Sequence, residues 1–149
     1  IMTGPEIVYL QNIVKRVPVG DHVIDFAAKL ARATRPASDE APEFVKEMVG
    51  WGAGPRAGIS LISAAKAHAV LRGRVHATTG DVASVALPVL RHRVLTTFNA
   101  EAAGVKSDDI IKRLVEELGG TCQMRQDAED LFLVLELPQV MATDRSESL

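Results

Sequence analysis

Chemistry is concentrated in one short stretch of this sequence, Gly50-Trp51-Gly52-Ala53-Gly54-Pro55-Arg56. Three glycines make the backbone pliable, and Pro55 suits the first position of a helix. Arg56 would then lie in a first helical turn, beside unpaired backbone N–H groups and the positive end of the helix dipole. A cation there costs the helix a few tenths to about 1 kcal/mol. A residue that breaks a local rule invites a functional reading. Helix start plus guanidinium makes an anion clamp, and phosphate is a common anion to need one. The bland alternative is that Arg56 pairs with a nearby carboxylate, Glu47 or Asp81, and the residues alone favour it.

Other reactive types are scattered. No G-x-x-x-x-G-K-[ST] phosphate loop occurs, nor an apolar strand ending in a paired acidic motif for magnesium. His22, His68, His76 and His92 do not flank a Glu at metalloprotease spacing, and no Gly-x-Ser-x-Gly is present. The chain by itself therefore shows no catalytic set, and no metal site is expected. Arg72-Gly73-Arg74 and Arg91-His92-Arg93 offer basic surface to a neighbouring subunit or a nucleotide, or are simply solvated or salt-bridged element ends. Trp51, the single tryptophan, suits either stacking on a base or anchoring its loop in the core. Asp81 reads as a helix start without a catalytic role.

Helices must position these groups. Ile7, Leu10, Ile13, Val14 and Val17 fall at helical spacing, predicting a helix over 5–17 that Pro18-Val19-Gly20 ends. Asp21 is expected to cap a second helix to about Ala33. A loop over 34–41 precedes a short helix from Pro42 to about Val49, then the glycine loop. The longest helix is predicted from Pro55 to about Arg72, with Ile59, Leu61, Ile62, Ala65, Ala69 and Leu71 suited to packing on more than one side. Another starts around Thr79–Asp81 and runs to about Leu95, kinked at Pro88. Ser107 is read as the cap of a last helix, with Asp108 and Asp109 favouring its dipole and Gly119-Gly120 ending it. Leu131–Leu137 is a compact apolar run that length alone assigns neither to strand nor to helix.

At 149 residues with 47% hydrophobic and 4% aromatic content, the chain fits one domain with an appendage, its core built of Ala, Leu, Val and Ile. No apolar run approaches the ~20 residues that cross a bilayer, and Ile1-Met2-Thr3-Gly4 does not open a secretory signal. The single cysteine, Cys122, excludes an intramolecular disulfide, and a reducing, cytoplasmic setting is expected. Residues 1–100 hold 12 Lys/Arg against 8 Asp/Glu, whereas residues 101–149 hold 5 against 11. That acidic tail opposes sequence-independent nucleic-acid binding.

Several segments, taken in order, resemble the helical lid of MoxR-type AAA+ ATPases. Gly52-Ala53-Gly54-Pro55-Arg56-Ala57 is similar to the family's Gly-Ala-Ser-Pro-Arg-Ala, with Gly54 in place of the usual Ser. Ala33-Thr34-Arg35 resembles the end of the lid's second helix. Residues 65–74 resemble Ala-x-Ala-x-Ala-x-Leu-x-Gly-Arg, and Thr79-Gly80-Asp81-Val82 stands where the family has Pro-x-Asp-Val. Val89-Leu90-Arg91-His92-Arg93 is similar to Val-Leu-x-His-Arg. The likeness covers roughly residues 5–115.

The resemblance implies an all-α, small helical bundle over residues 1–118; residues 119–149, for which the family offers no counterpart, read by composition as an acidic, partly disordered extension with room for a short strand or helix. It implies a lid that closes over ATP and Mg held by an α/β ATPase domain absent from this chain, with neither expected to bind this chain tightly alone. Arg56 would be the second-sensor arginine, catalytic only with that domain, and Gly54, Pro55 and Arg56 would face the nucleotide phosphates. Implied partners are that ATPase domain, neighbouring subunits of a ring, commonly a hexamer in the family, and a von Willebrand A-domain protein, in a chaperone-like remodelling machine; neither membrane nor nucleic acid is among them. Two other readings remain on the residues: a helical protein-interaction module, or a DNA-binding regulatory domain, which lacks an evident recognition helix.

Overall fold

The structure, a computed structural model, describes residues 2–119. Its seven helices and one two-stranded ribbon follow the order α1 (Gly4–Arg16), α2 (Asp21–Ala33), α3 (Glu43–Met48), β1 (Val49–Trp51), α4 (Arg56–Leu71), α5 (Thr79–Leu90), β2 (Leu95–Thr96), α6 (Phe98–Ala102) and α7 (Ser107–Glu117). The fold is an all-α bundle, as the helical periodicity predicts.

Helix α4 is the central pillar. Ala57, Leu61, Ala65 and Ala69 recur every fourth residue on one stripe and are all buried. Three of the four are alanines, so the backbone of α5 can approach closely and bury Val82, Ala83, Ala86 and Leu90 against it. Helix α2 closes a second side with Val23, Ala27 and Leu30, and α7 packs Ile110, Ile111 and Leu114 against α5 and α2. Helix α1 differs. Thr3 and Glu6 lock its start, the Thr3 N–H donating to the Glu6 carboxylate at 2.6 Å, yet none of its residues is fully buried. It lies along α4 as a flange and leaves an apolar face half covered.

Four sequence expectations need correcting. Helix α5 passes through Pro88 and ends at Leu90, not near Leu95; beyond it the N–H groups of Arg93 and Val94 both donate to the Leu90 carbonyl, at 2.8 and 3.1 Å. The chain then reverses, buries Val94, and pairs Leu95–Thr96 antiparallel with Val49–Trp51. The glycine loop therefore begins as a strand. Asp21 is the first residue of α2, with Gly20 at the cap position. Ser107 is likewise already helical, and Lys106 is the cap residue of α7, its N–H donating to Asp109 at 3.0 Å. The five-residue α6, capped by the Thr97 hydroxyl, was too short to show in any periodicity. The apolar run 131–137, Cys122 and all of the acidic extension beyond Gly119 lie outside the described residues.

Candidate functional site at the start of α4

The glycine loop is held from below by the end of α2. Thr34 is fully buried; its hydroxyl donates to the Ala31 carbonyl at 2.8 Å and accepts the Ala53 N–H at 2.9 Å. Arg35 Nε donates to the Ala53 carbonyl at 2.7 Å. Both backbone groups of Ala53 are thus satisfied by the two residues that follow α2, which is why Thr34-Arg35 and the glycine loop occur together in one chain. The three glycines turn out to be unlike one another. A Cβ on Gly52 would stand 2.7 Å from the Arg35 Cα and closer still to the Thr34 carbonyl oxygen, so only glycine fits. Gly50 meets only ordinary contacts with the Thr96 carbonyl, and Gly54 has nothing within 4 Å. Pliability is therefore not the reason for Gly52; close backbone approach is.

So anchored, the loop delivers Pro55 as the cap residue of α4 and Arg56 as its first helical residue. No side chain caps this end, and α4 alone among the described helices has no acidic residue in its first turn. Arg56 is exposed, and its guanidinium makes no ion pair with Glu47, Asp81 or any other carboxylate among the described residues. Neither of the two carboxylates that the bland reading names, Glu47 and Asp81, is its partner. An uncapped helix start and an exposed cation thus stand together, an arrangement that could accept an anion.

Asp81 is occupied elsewhere, at the far end of α4, roughly 24 Å away along a 16-residue helix. It is 1% exposed and forms a centre that the sequence did not reveal. Its carboxylate accepts from both guanidinium nitrogens of Arg74, sits 2.7 Å from His68 Nδ1, and takes the N–H and hydroxyl of the cap residue Thr78, each at 2.8 Å. Burial pushes the Asp81 carboxyl upward, but the hydrogen bonds from Arg74, His68 and Thr78 outweigh it and hold the group well below the usual carboxylate range. The same pairing pushes the Arg74 guanidinium upward. Arg74 is therefore a structural ion-pair partner. Arg74 and Asp81 each fell within a segment that resembles the family, but neither their pairing nor the participation of His68 was legible.

Two hollows flank the loop. The larger, about 970 Å³, lies between α1, α2 and α4, with Pro55 at one edge and Ile7, Leu10, Ile24, Ile59 and Ile62 in its walls. Lys15, Arg32, Arg35 and Lys66 also line it, so an apolar trough is rimmed by cations. Nothing in the periodicity pointed to it, since it is made by three helices that each look ordinary. The smaller, about 440 Å³, is lined by Trp51, Gly52, Gly54, His92, Arg93 and Leu95. Trp51 is 71% exposed and so does not anchor the loop in the core. Arg91 is spoken for by Asp108 at 2.9 Å, whereas Arg93 has no carboxylate partner among the described residues.

Comparison with known proteins agrees with this geometry. The AAA lid domain family matches residues 42–114, which hold the glycine loop, Arg56 and the Asp81 centre. The chaperone MoxR1 of Mycobacterium tuberculosis is 32% identical over 116 residues, covering 78% of this chain and 31% of that protein. This chain belongs to the lid domains of MoxR-type AAA+ ATPases. The uncharacterized protein YeaC of Bacillus subtilis is 24% identical over 77% of the chain and 33% of its own length. An ATPase-assigned crystal structure from Cytophaga hutchinsonii superposes with a TM-score of 0.66 at 28% identity, over 70% of this lid and 32% of that chain. The lid thus spans about a third of the length of the relatives it matches. Among its described residues, no helix is long and apolar enough to cross a membrane.

Proposed function

We propose that this lid closes over a nucleoside triphosphate bound to an α/β ATPase domain and that Arg56 contacts the phosphates. The observation that carries the reading is the state of Arg56: first residue of α4, exposed, without a carboxylate among the described residues, and in the one described helix start that lacks an acidic first turn. Gly54 and Pro55 lie on the same approach, and the open space over Gly54 leaves room for a phosphate to reach the helix N–H groups. ATP and magnesium fit this arrangement as a shared site. The lid supplies a guanidinium and helix dipole, while the magnesium ligands would come from the ATPase domain.

The cation-rimmed trough beside Pro55 is the face that the ATPase domain would cover. Its apolar walls account for the half-covered state of α1, since a surface of this kind marks an interaction site. Closure would bring Arg56 to the phosphates only in the nucleotide-bound state, coupling lid angle to ATP or ADP. In the transition state its charge would offset the negative charge spread over the transferred phosphoryl oxygens. On the family resemblance, the longer protein would assemble as a ring and act as a chaperone-like remodeller, with a von Willebrand A-domain partner.

The test is Arg56→Ala in the full-length protein, read as ATP turnover with circular dichroism alongside. A loss of roughly a hundredfold or more with an unchanged spectrum is expected. A normal turnover rate would leave a helical module without a nucleotide role.

A further inference from the structure

The surface around the small hollow carries more exposed apolar area than a solvent-facing ribbon needs. Trp51 and Leu95 are cross-strand partners, 71% and 61% exposed, and Phe98 just beyond β2 is 82% exposed. Beside them stands Arg93, with no carboxylate among the described residues, its Nε donating to His92 Nε2 at 3.2 Å. A tryptophan and an arginine with neighbouring apolar groups are the residue types that dominate interaction surfaces. Their chemistry calls for an occupant that is apolar and acidic at once.

The same chain contains such a segment. Asp127-Ala128-Glu129-Asp130-Leu131-Phe132-Leu133-Val134-Leu135-Glu136-Leu137 has four carboxylates, six large apolar residues and no Lys or Arg. Its connection is long enough. Eight residues from Gly119 reach Asp127, and at ~3.3–3.6 Å each they span up to ~28 Å, more than the ~16 Å length of the 11-residue α7. Helix α7 itself is tied toward the ribbon. Asp108 in its first turn bonds Arg91, and Arg113 lies 4.0 Å over the ring of Phe44 in α3, the helix that runs directly into β1. A chain leaving the end of α7 can therefore double back to Trp51 and Arg93.

The geometry points to an intramolecular docking surface: the segment 127–137 covers Trp51 and Leu95, and its carboxylates pair with Arg93. Because Gly52 and Gly54 line the same hollow, the docked segment would sit against the loop that presents Arg56 and stiffen it. This inference stands on the ribbon and the tail, independently of nucleotide contact by Arg56.

Trp51 is the single tryptophan, so its fluorescence reports on the surface directly. In the 149-residue chain, Trp51 is expected to emit to the blue of free indole in water and to resist acrylamide quenching. The triple variant Asp127→Asn, Glu129→Gln, Asp130→Asn and the single variant Arg93→Gln should each lose that protection, as should the chain ending at Gly119, with helical circular dichroism retained. Added salt should weaken the protection in the parent and not in the variants. Equal quenching of parent and shortened chain would overturn the proposal. So would protection that survives the charge variants, or that depends on protein concentration, which would make the cover a second copy.

Discussion

The two ends of α4 hold opposite solutions to the same problem, a charged group at a helix terminus. At the C-terminal end, Asp81 is buried and every polar direction is filled, by Arg74, His68 and Thr78. At the N-terminal end, Arg56 is exposed, breaks the dipole rule, and pairs with no carboxylate among the described residues. A charge surrounded by its partners serves the fold; one held out without a carboxylate among the described residues is the charge that we propose meets the nucleotide. The two ends are separable because the residues that support them, Thr34-Arg35 below the loop and Arg74 with His68 below Asp81, are not shared.

The largest effect should come from breaking the closed end. Arg74→Ala leaves the Asp81 carboxylate buried with only His68 and Thr78 beside it, and a loss of about 3–5 kcal/mol is expected in urea or thermal unfolding. Asp81→Ala should cost less, since Arg74 is 36% exposed on its side chain and can be solvated once freed. Equal costs would show that the two groups are not asymmetric in burial. At the open end, Arg56→Ala should reverse the pattern: turnover of the full-length protein falls as above, while unfolding free energy changes by less than about 0.5 kcal/mol. A large stability loss there would mean that Arg56 has an internal partner, and the comparison would fail.

The support of the open end gives a sharper contrast within one loop. Gly52→Ala drives a methyl into the Thr34 carbonyl and should destabilise by about 1–3 kcal/mol, with turnover falling as Arg56 is displaced. Gly54→Ser enters empty space and should change stability by less than about 0.5 kcal/mol, restoring the residue usual in the resembling family. Similar effects for both would mean that the loop yields as a unit.

The smallest effect is a slope. Asp81 is held below its ordinary value of 3.8 in the folded state, so its contribution to stability is complete above that value. It is lost as pH falls below about 4 toward the depressed folded value. Unfolding free energy of the parent should therefore decline through that acid window, and Asp81→Asn should flatten the decline. An unchanged slope in the variant would place the acid sensitivity in other carboxylates.

The residues themselves carry the helices. The spacing of Val23, Ala27 and Leu30, or of Leu61, Ala65 and Ala69, is a local period, and local periods survive without knowledge of the partner. Pro55 was read as the first helical residue and stands one place earlier, at the cap, while Arg56 falls in the first turn as its local spacing predicts, so the start of α4 was legible in the sequence to within a residue. Tertiary structure decided everything that depends on two distant segments meeting. Pairing of Val49–Trp51 with Leu95–Thr96 shortened α5 and turned part of the glycine loop into strand, and a two-residue strand has no period to detect. The need for glycine at 52 arises from the Thr34 carbonyl, eighteen residues back in the chain. Asp81 was read as a helix start, which its capping-box bonds with Thr78 bear out, but its burial as the counter-ion of Arg74 and hydrogen-bond partner of His68 was hidden, because burial is a property of the assembled bundle. Whether Arg56 had a partner was open in the sequence for the same reason: charge and spacing name the candidates for an ion pair, but only the packing of α4 against α5 decides which of them can meet.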